Sequence, residues 1–297
     1  MEITFLGTSS AVHSYERNHP SIVLKAFGEV MLFDCGEATQ RQLIFAKVSP
    51  MKISKIFLSH YHGDHILGLP GLLQSMNFRG RDTKLTIYGP KGLNKLREAI
   101  FSLGYCKIDF PIEFIEIDSE IIEQNEDYII KSQEVNHFVP CLAYCVEELK
   151  KPRFMREKAI ELGVPVGPDF GKLHNGEEVE IDGRIIKPEQ VLGPPRKGRK
   201  ITYSGDTTYC EDLIELAKDS TLLIHESTYI KEDEDKAEEN FHSTSSDAAQ
   251  IAKKSNSKRL ILTHISTRYP NTDQMLKEAL EIFENTEIAK DFKKIEL

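Results

Sequence analysis

The sequence predicts an α/β fold, and three observations carry that prediction. Short β-type runs alternate with helix-like segments over most of the 297 residues. Side chains of metal-ligating type stand at the ends of several of those runs. One stretch, 149–199, is rich in Pro, Gly and charge and breaks the rhythm. The alternation implies one body spanning 1–297, with 149–199 inserted in it as a projecting arm. Hydrophobic and charged residues, at 40% and 29%, are ordinary for a soluble globular chain able to bury a sizeable core.

In order, 3–7, 21–26 and 30–34 read as strands separated by turn residues. The N-terminus lacks the basic and long apolar regions of a signal peptide, and no run approaches the roughly 18 apolar residues of a membrane span. A strand is expected at 53–58, and a helix at 70–78 with Pro70 in its first turn. Then come a strand at 85–88, an amphipathic helix at 91–103 and a strand at 112–117. Strands at 128–136 and 142–147 flank His137. Within 149–199 only a short helix near 153–162 shows a period. Regular structure returns at 201–204, 211–218, 222–225, 245–254, 260–264 and 273–284. The acidic run 232–235 reads as a solvated loop. Five scattered cysteines (Cys35, Cys106, Cys141, Cys145, Cys210) read as core thiols of a reducing cytosol, which makes the protein cytoplasmic. The net charge of −9 argues against indiscriminate nucleic-acid binding but leaves room for local basic patches.

The densest chemistry is Ser59-His60-Tyr61-His62-Gly63-Asp64-His65. After a β-type run His60 and His62 point the same way, and a sharp turn at Gly63 brings Asp64 and His65 to a neighbouring point. Imidazoles with a carboxylate suit Zn²⁺ best, and Mn²⁺ or Fe²⁺ less well. His137, Asp206 and His264 each end a β-type run. Singly, each is equally well a capping Asp or a core His. Together with the first stretch they make five His and two Asp, enough for two ions. His60, His62 and His137 suit the first, Asp64, His65 and His264 the second, and Asp206 the bridge. Two cations roughly 3.5–4 Å apart activate a shared water, which is hydrolytic chemistry.

This stretch, with the spaced His, Asp and His that follow, resembles the metallo-β-lactamase superfamily, which implies a four-layer αββα sandwich. Phe33-Asp34-Cys35-Gly36-Glu37-Ala38-Thr39-Gln40, His225-Glu226-Ser227-Thr228, His242-Ser243-Thr244 and Thr263-His264-Ile265-Ser266-Thr267-Arg268-Tyr269 are similar, in order, to motifs of the ribonuclease Z family in its short form. Gly often stands in that family where this chain has Ala38. The resemblance implies a zinc-dependent endoribonuclease, with two Zn²⁺ per subunit, that cuts the 3′ trailer from precursor tRNA. The tRNA is left with a 3′-OH and the trailer with a 5′-phosphate. A homodimer is implied too. The 149–199 insertion is similar to the family's tRNA-gripping arm at 163–168 and 171–179, so Gly167, Pro168 and Lys172 are candidate substrate contacts. Lys150, Lys151, Arg153, Arg156 and Lys158, and again Arg196, Lys197, Arg199 and Lys200, form basic clusters of the kind phosphates favour. Acids at 177–182 lie between them.

For catalysis, Asp64 would orient the attacking hydroxide and accept its proton. The resemblance gives His242 the role of proton donor to the leaving 3′ oxygen, with Glu226 orienting it. From the residues alone Glu226 is a carboxylate at a strand end and His242 a loop histidine. Arg268 suits a phosphate clamp because guanidinium is bidentate and always charged. Two other readings stand beside this one. A small-molecule metallohydrolase, such as a thioesterase or phosphodiesterase, would not need the arm. A non-catalytic metal- or RNA-binding protein would not need Asp64.

Overall fold

The strands form two seven-stranded sheets, and near-continuous apolar runs such as Leu222–Glu226 and Leu260–Thr263, buried at every position, are neighbours inside one of them. The structure is a computed structural model and describes residues 1–105 and 107–297; the core thiol expected at Cys106 lies outside the described residues. In the first sheet the spatial order is Lys294–Glu296, Glu2–Gly7, Ser21–Ala26, Glu29–Phe33, Ile53–Phe57, Leu85–Gly89 and Ile112–Glu116. In the second it is Thr286–Ile288, Leu260–Thr263, Leu222–Glu226, Arg196–Tyr203, Cys141–Lys150, Tyr128–Val135 and Ile121–Gln124. Both sheets contain consecutive parallel pairs, so the connecting loops at one edge of each follow strand C-termini.

Alternation along the strands builds four layers. Leu32, Ile56 and Ile87 pack with Leu43, Leu72, Leu73, Met76 and Leu93 from helices on one face of the first sheet. The next residues along, Phe33, Phe57 and Tyr88, point the other way. There Phe33 lies 6.0 Å from the Tyr144 ring and 6.1 Å from the Tyr203 ring of the second sheet. The outer face of that sheet is covered by Leu213, Ala248, Ile251, Ala252 and Met275 from its own helices. The αββα sandwich is therefore present.

The chain divides into two units, Met1–Asn125 with Ile129–Glu147 and Arg199–Leu297, and Glu126–Tyr128 with Glu148–Gly198. The second unit takes in most of 149–199 together with Glu126–Tyr128, and is more ordered than its sequence suggested. Helices Arg156–Glu161 and Pro168–His174 and the hairpin Val179–Ile181/Arg184–Ile186 bury Ala159, Val164, Leu173, Val179 and Ile186 in a small core. Asp182 and Gly183, both with positive φ, make the two-residue turn of that hairpin. Elements this short carry too few residues to show a period. The acidic run also differs from expectation. It forms a 3₁₀ turn, Lys231–Asp233, and opens the helix Glu234–Glu239, held by Lys231–Glu234 and Lys236–Asp233 pairs. Cys35, Cys141, Cys145 and Cys210 are buried free thiols, as expected.

Candidate metal centre and active site

The Ile53–Phe57 strand ends three residues before His60, and His62 keeps an extended backbone. The chain then turns at Gly63, but as the helical turn Gly63–Ile66, with no left-handed glycine. That turn carries Asp64 and His65. His137 follows the Tyr128–Val135 strand, Asp206 the Arg196–Tyr203 strand and His264 the Leu260–Thr263 strand. All seven converge.

Three nitrogens meet at one point: His60 Nε2 is 3.0 Å from His62 Nδ1, which is 3.3 Å from His137 Nε2. At the neighbouring point His65 Nε2 and His264 Nε2 are 3.2 Å apart, each 3.5 Å from Asp64 Oδ2. Tetrahedral bonds of about 2.0–2.1 Å place ligand atoms roughly 3.3 Å apart, so these spacings fit metal coordination. Asp206 Oδ2 lies 3.7 Å from His60 Nε2, 3.4 Å from His65 Nε2 and 3.3 Å from His264 Nε2, between the two sets. Its Oδ1 is buried with no hydrogen-bond partner. An orphaned buried carboxylate oxygen is costly unless an ion takes it.

Outer hydrogen bonds aim the lone pairs inward. The Ser59 hydroxyl donates to Asp34 Oδ2 (2.9 Å) and so accepts from His60 Nδ1 (3.0 Å). His65 Nδ1 donates to Asp34 Oδ2 (2.8 Å), and His137 Nδ1 to the Phe241 carbonyl (2.8 Å). Thr228 Oγ1 donates to Glu226 Oε2 and so accepts from His264 Nδ1, both at 2.8 Å. In each ring Nε2 is left as the metal-facing acceptor. The Asp64 carboxyl would be raised by burial, but facing His65 and a bond from His264 hold it well below the usual range. Asp64 Oδ2 also accepts the Ala11 N–H at 2.7 Å.

His242 sits in the loop between Glu234–Glu239 and Ser245–Lys254, its N–H bonded to the Ala237 carbonyl. Nδ1 donates to Glu226 Oε1 at 2.8 Å and lies 4.0 Å from Asp206 Oδ2. Burial lowers this imidazole, yet Glu226 and Asp206 outweigh burial and push it up to about 9. Glu226 is held ionised despite burial by His242 and by bonds from the Thr207 and Thr228 amides. A cavity of about 490 Å³ opens beside His137 and His242, lined also by Tyr209 and Phe241.

Arg268 is exposed and its guanidinium packs 5.4 Å over the Tyr229 ring, which is 6.2 Å from His242. Gly167, Pro168 and Lys172 belong to the second unit. There Pro168 opens a helix after an extended Gly167, and Lys172 pairs with Asp169 at 2.8 Å. Asp34, Ser59 and Thr228 are the functional residues that sequence reasoning gave no role. Asp34 had the same signal as the ligands, a carboxylate closing a β-type run.

Two family models match: "Anti-Pycsar protein Apyc1" over residues 1–138 and "Beta-lactamase superfamily domain" over residues 187–265. Ribonuclease Z of Methanothermobacter thermautotrophicus is 54% identical over 297 residues, covering 100% of this chain and 97% of its own. Ribonuclease Z of Bacillus cereus is 47% identical over 302 residues, covering 99% and 98%. Among solved structures, human tRNase Z, short form, superposes with a TM-score of 0.72 at 29% identity, covering 100% of this chain and 99% of that one. The metallo-β-lactamase fold protein YhfI from Bacillus subtilis, at 20% identity and a TM-score of 0.71, shares the fold. With relatives this similar over full length, the chain belongs to the ribonuclease Z family of tRNA 3′-processing endoribonucleases.

Proposed function

We propose that the seven ligands hold two Zn²⁺ per subunit and that the protein cuts the 3′ trailer from precursor tRNA, leaving a 3′-OH and a 5′-phosphorylated trailer. The observation that carries this is the buried Asp206 carboxylate between two imidazole sets whose spacings match ligand edges. His60, His62 and His137 would hold one ion, Asp64, His65 and His264 the other, with Asp206 shared. When bound, such a pair supplies a water of lowered pKa and charge stabilisation for both attacking and leaving oxygens.

The chain's own residues complete the reaction. Asp64, kept ionised, orients the attacking water through one oxygen and accepts its proton. His242 has Nδ1 fixed on Glu226, so Nε2 is free to deliver a proton to the departing 3′ oxygen. Arg268, whose guanidinium packs over Tyr229, would clamp a phosphate.

The second unit serves as the tRNA arm, with Gly167, Pro168 and Lys172 among its contacts. Although Lys150, Lys151 and Lys172 are paired with acids, Arg153, Arg156, Lys158 and Arg196 are exposed and have no ion-pair partner among the described residues. Homodimerisation rests on the family resemblance. A cytoplasmic location is in keeping with the four buried free thiols and a tRNA substrate. No helix among the described residues is long and apolar enough to cross a membrane.

The test is a labelled precursor tRNA incubated with purified protein, with and without chelator, and the cut mapped to the nucleotide. Cleavage at the trailer junction that chelator abolishes and Zn²⁺ restores is the expected result. Chelator-resistant cleavage refutes the metal assignment, and no cleavage refutes the substrate.

A further inference from the structure

A second metal-ligating cluster lies outside the seven-residue centre. His13, His19 and Glu37 bring two imidazole nitrogens and a carboxylate oxygen within 4.8 Å of one another. The His13 and His19 rings meet edge to face, centroids 5.0 Å apart. His19 is only 6% exposed, and neither of its ring nitrogens makes a hydrogen bond of ordinary geometry. A buried imidazole with both nitrogens unsatisfied is costly, and buried polar groups in native proteins nearly always find a partner. Among the described residues only the Ala11 backbone comes near enough to act on the ring as a partner, and it does so without ordinary hydrogen-bond geometry. His13 and Glu37 are exposed and face it.

The backbone holds His19 in place. A Cβ at Gly7 would meet the His19 carbonyl oxygen at 1.7 Å, and one at Gly36 would meet the His19 Cβ at 2.5 Å. The neighbouring Asn18 is fixed by its N–H to Asp291 Oδ2 (2.8 Å) and its side chain to the Glu37 carbonyl (2.7 Å). One ligand is thus rigid. The two exposed side chains have rotamer freedom to close from 4.8 Å to the roughly 3.3 Å edge of a tetrahedral site.

We infer that His13, His19 and Glu37 bind a transition-metal dication in addition to the central pair, completing its coordination with water. Two imidazoles and a carboxylate form a donor set that Zn²⁺ accepts with one position open. The ion ties the loop carrying His13 to the segment carrying Glu37. Ala11, whose amide donates to Asp64, is two residues from His13. The site therefore fixes a loop that contacts the catalytic centre.

The experiment counts metal. The full-length protein is stripped with chelator, reloaded at a fixed free Zn²⁺ concentration and weighed by native mass spectrometry. His13→Ala and Glu37→Gln, both at exposed positions, are each expected to carry one ion fewer per chain than the parent. In a His60→Ala/His264→Ala background, which removes ligands from both central sets, adding His13→Ala is expected to remove one further ion. Because the reading is a difference, it does not depend on how many ions the centre holds. Equal metal content in the parent, His13→Ala and Glu37→Gln chains overturns the inference. So does an ion count in the central-site background that His13→Ala leaves unchanged.

Discussion

Glu226→Gln tests His242 as the proposed proton donor. The His242 imidazole is lowered by burial but pushed up to about 9, chiefly by the Glu226 carboxylate 2.8 Å from Nδ1. Gln keeps the shape and one acceptor but removes the charge, so the ring falls toward the ordinary imidazole value of about 6.5. A change of about 2.5 pK units corresponds to roughly 3 kcal/mol of lost preference for the imidazolium. The folded pKa is raised, so the donor is charged below it and lost as pH rises through it. At pH 7.5 the protonated fraction drops from about 97% to about 9%, roughly a tenfold loss of kcat, whereas at pH 6 the loss is under about twofold. The assay is single-turnover cleavage of precursor tRNA from pH 5.5 to 9.5, with the alkaline limb moving from near 9 toward 6.5. A p-nitrophenyl phosphodiester, whose leaving group departs as an anion, is expected to show little change. An alkaline limb that stays near 9, or equal losses on both substrates at every pH, refutes the role given to His242.

Asp64→Ala is expected to cut cleavage by ~10³-fold or more while tRNA affinity in a filter-binding assay stays within ~3-fold, since the variant loses a base and ligand but no tRNA contact. Preserved turnover would remove Asp64 from the chemistry. Deleting residues 150–190 is expected to raise KM for precursor tRNA by ~10-fold or more and to flatten its salt dependence, because phosphate contacts are lost. Hydrolysis of the small phosphodiester should persist, and matching losses on both substrates would contradict the division of labour between the units. Asp34→Asn removes the charge and one of the two oxygens that accept from Ser59, His65 and Tyr203, and is expected to weaken Zn²⁺ binding ~10–100-fold in competition with a chromophoric chelator. Unchanged affinity would leave Asp34 with a purely structural role.

The convergence of the seven candidate ligands was legible because metal chemistry restricts residue type and the fold restricts position. Four of the seven lie between His60 and His65, and the other three close β-type runs. Strand ends in such sheets share an edge, so the sequence pattern already implied convergence. Asp34, Ser59 and Thr228 were harder to see, because a hydroxyl or carboxylate near a strand end is equally common as a turn or cap residue. Only coordinates show that Asp34 accepts from Ser59, His65 and Tyr203 together. His13 and His19 carried no motif at all; their meeting depends on a loop closing beside Gly36. In the second unit the hairpin was missed because three-residue strands fall below the length at which alternation can be read.

Backbone strain ties these layers of the site together. Asp34 and His264 both have left-handed backbone, with φ of 55° and 58°. Asp and His tolerate that region better than most residues, yet such positions persist where surrounding structure over-determines them. Here the over-determination is visible. Asp34 is pinned through both carboxylate oxygens, and His264 through Nδ1 on Thr228 and the adjoining Ile265 amide on the Thr8 carbonyl. From these left-handed strand ends Asp34 reaches Tyr203 of the second sheet, and His264 reaches His65, which follows a strand of the first. The candidate ligand set is thus a property of the two sheet edges acting together, and its geometry rests on the bonds that fix the tautomers of His60, His65, His137 and His264.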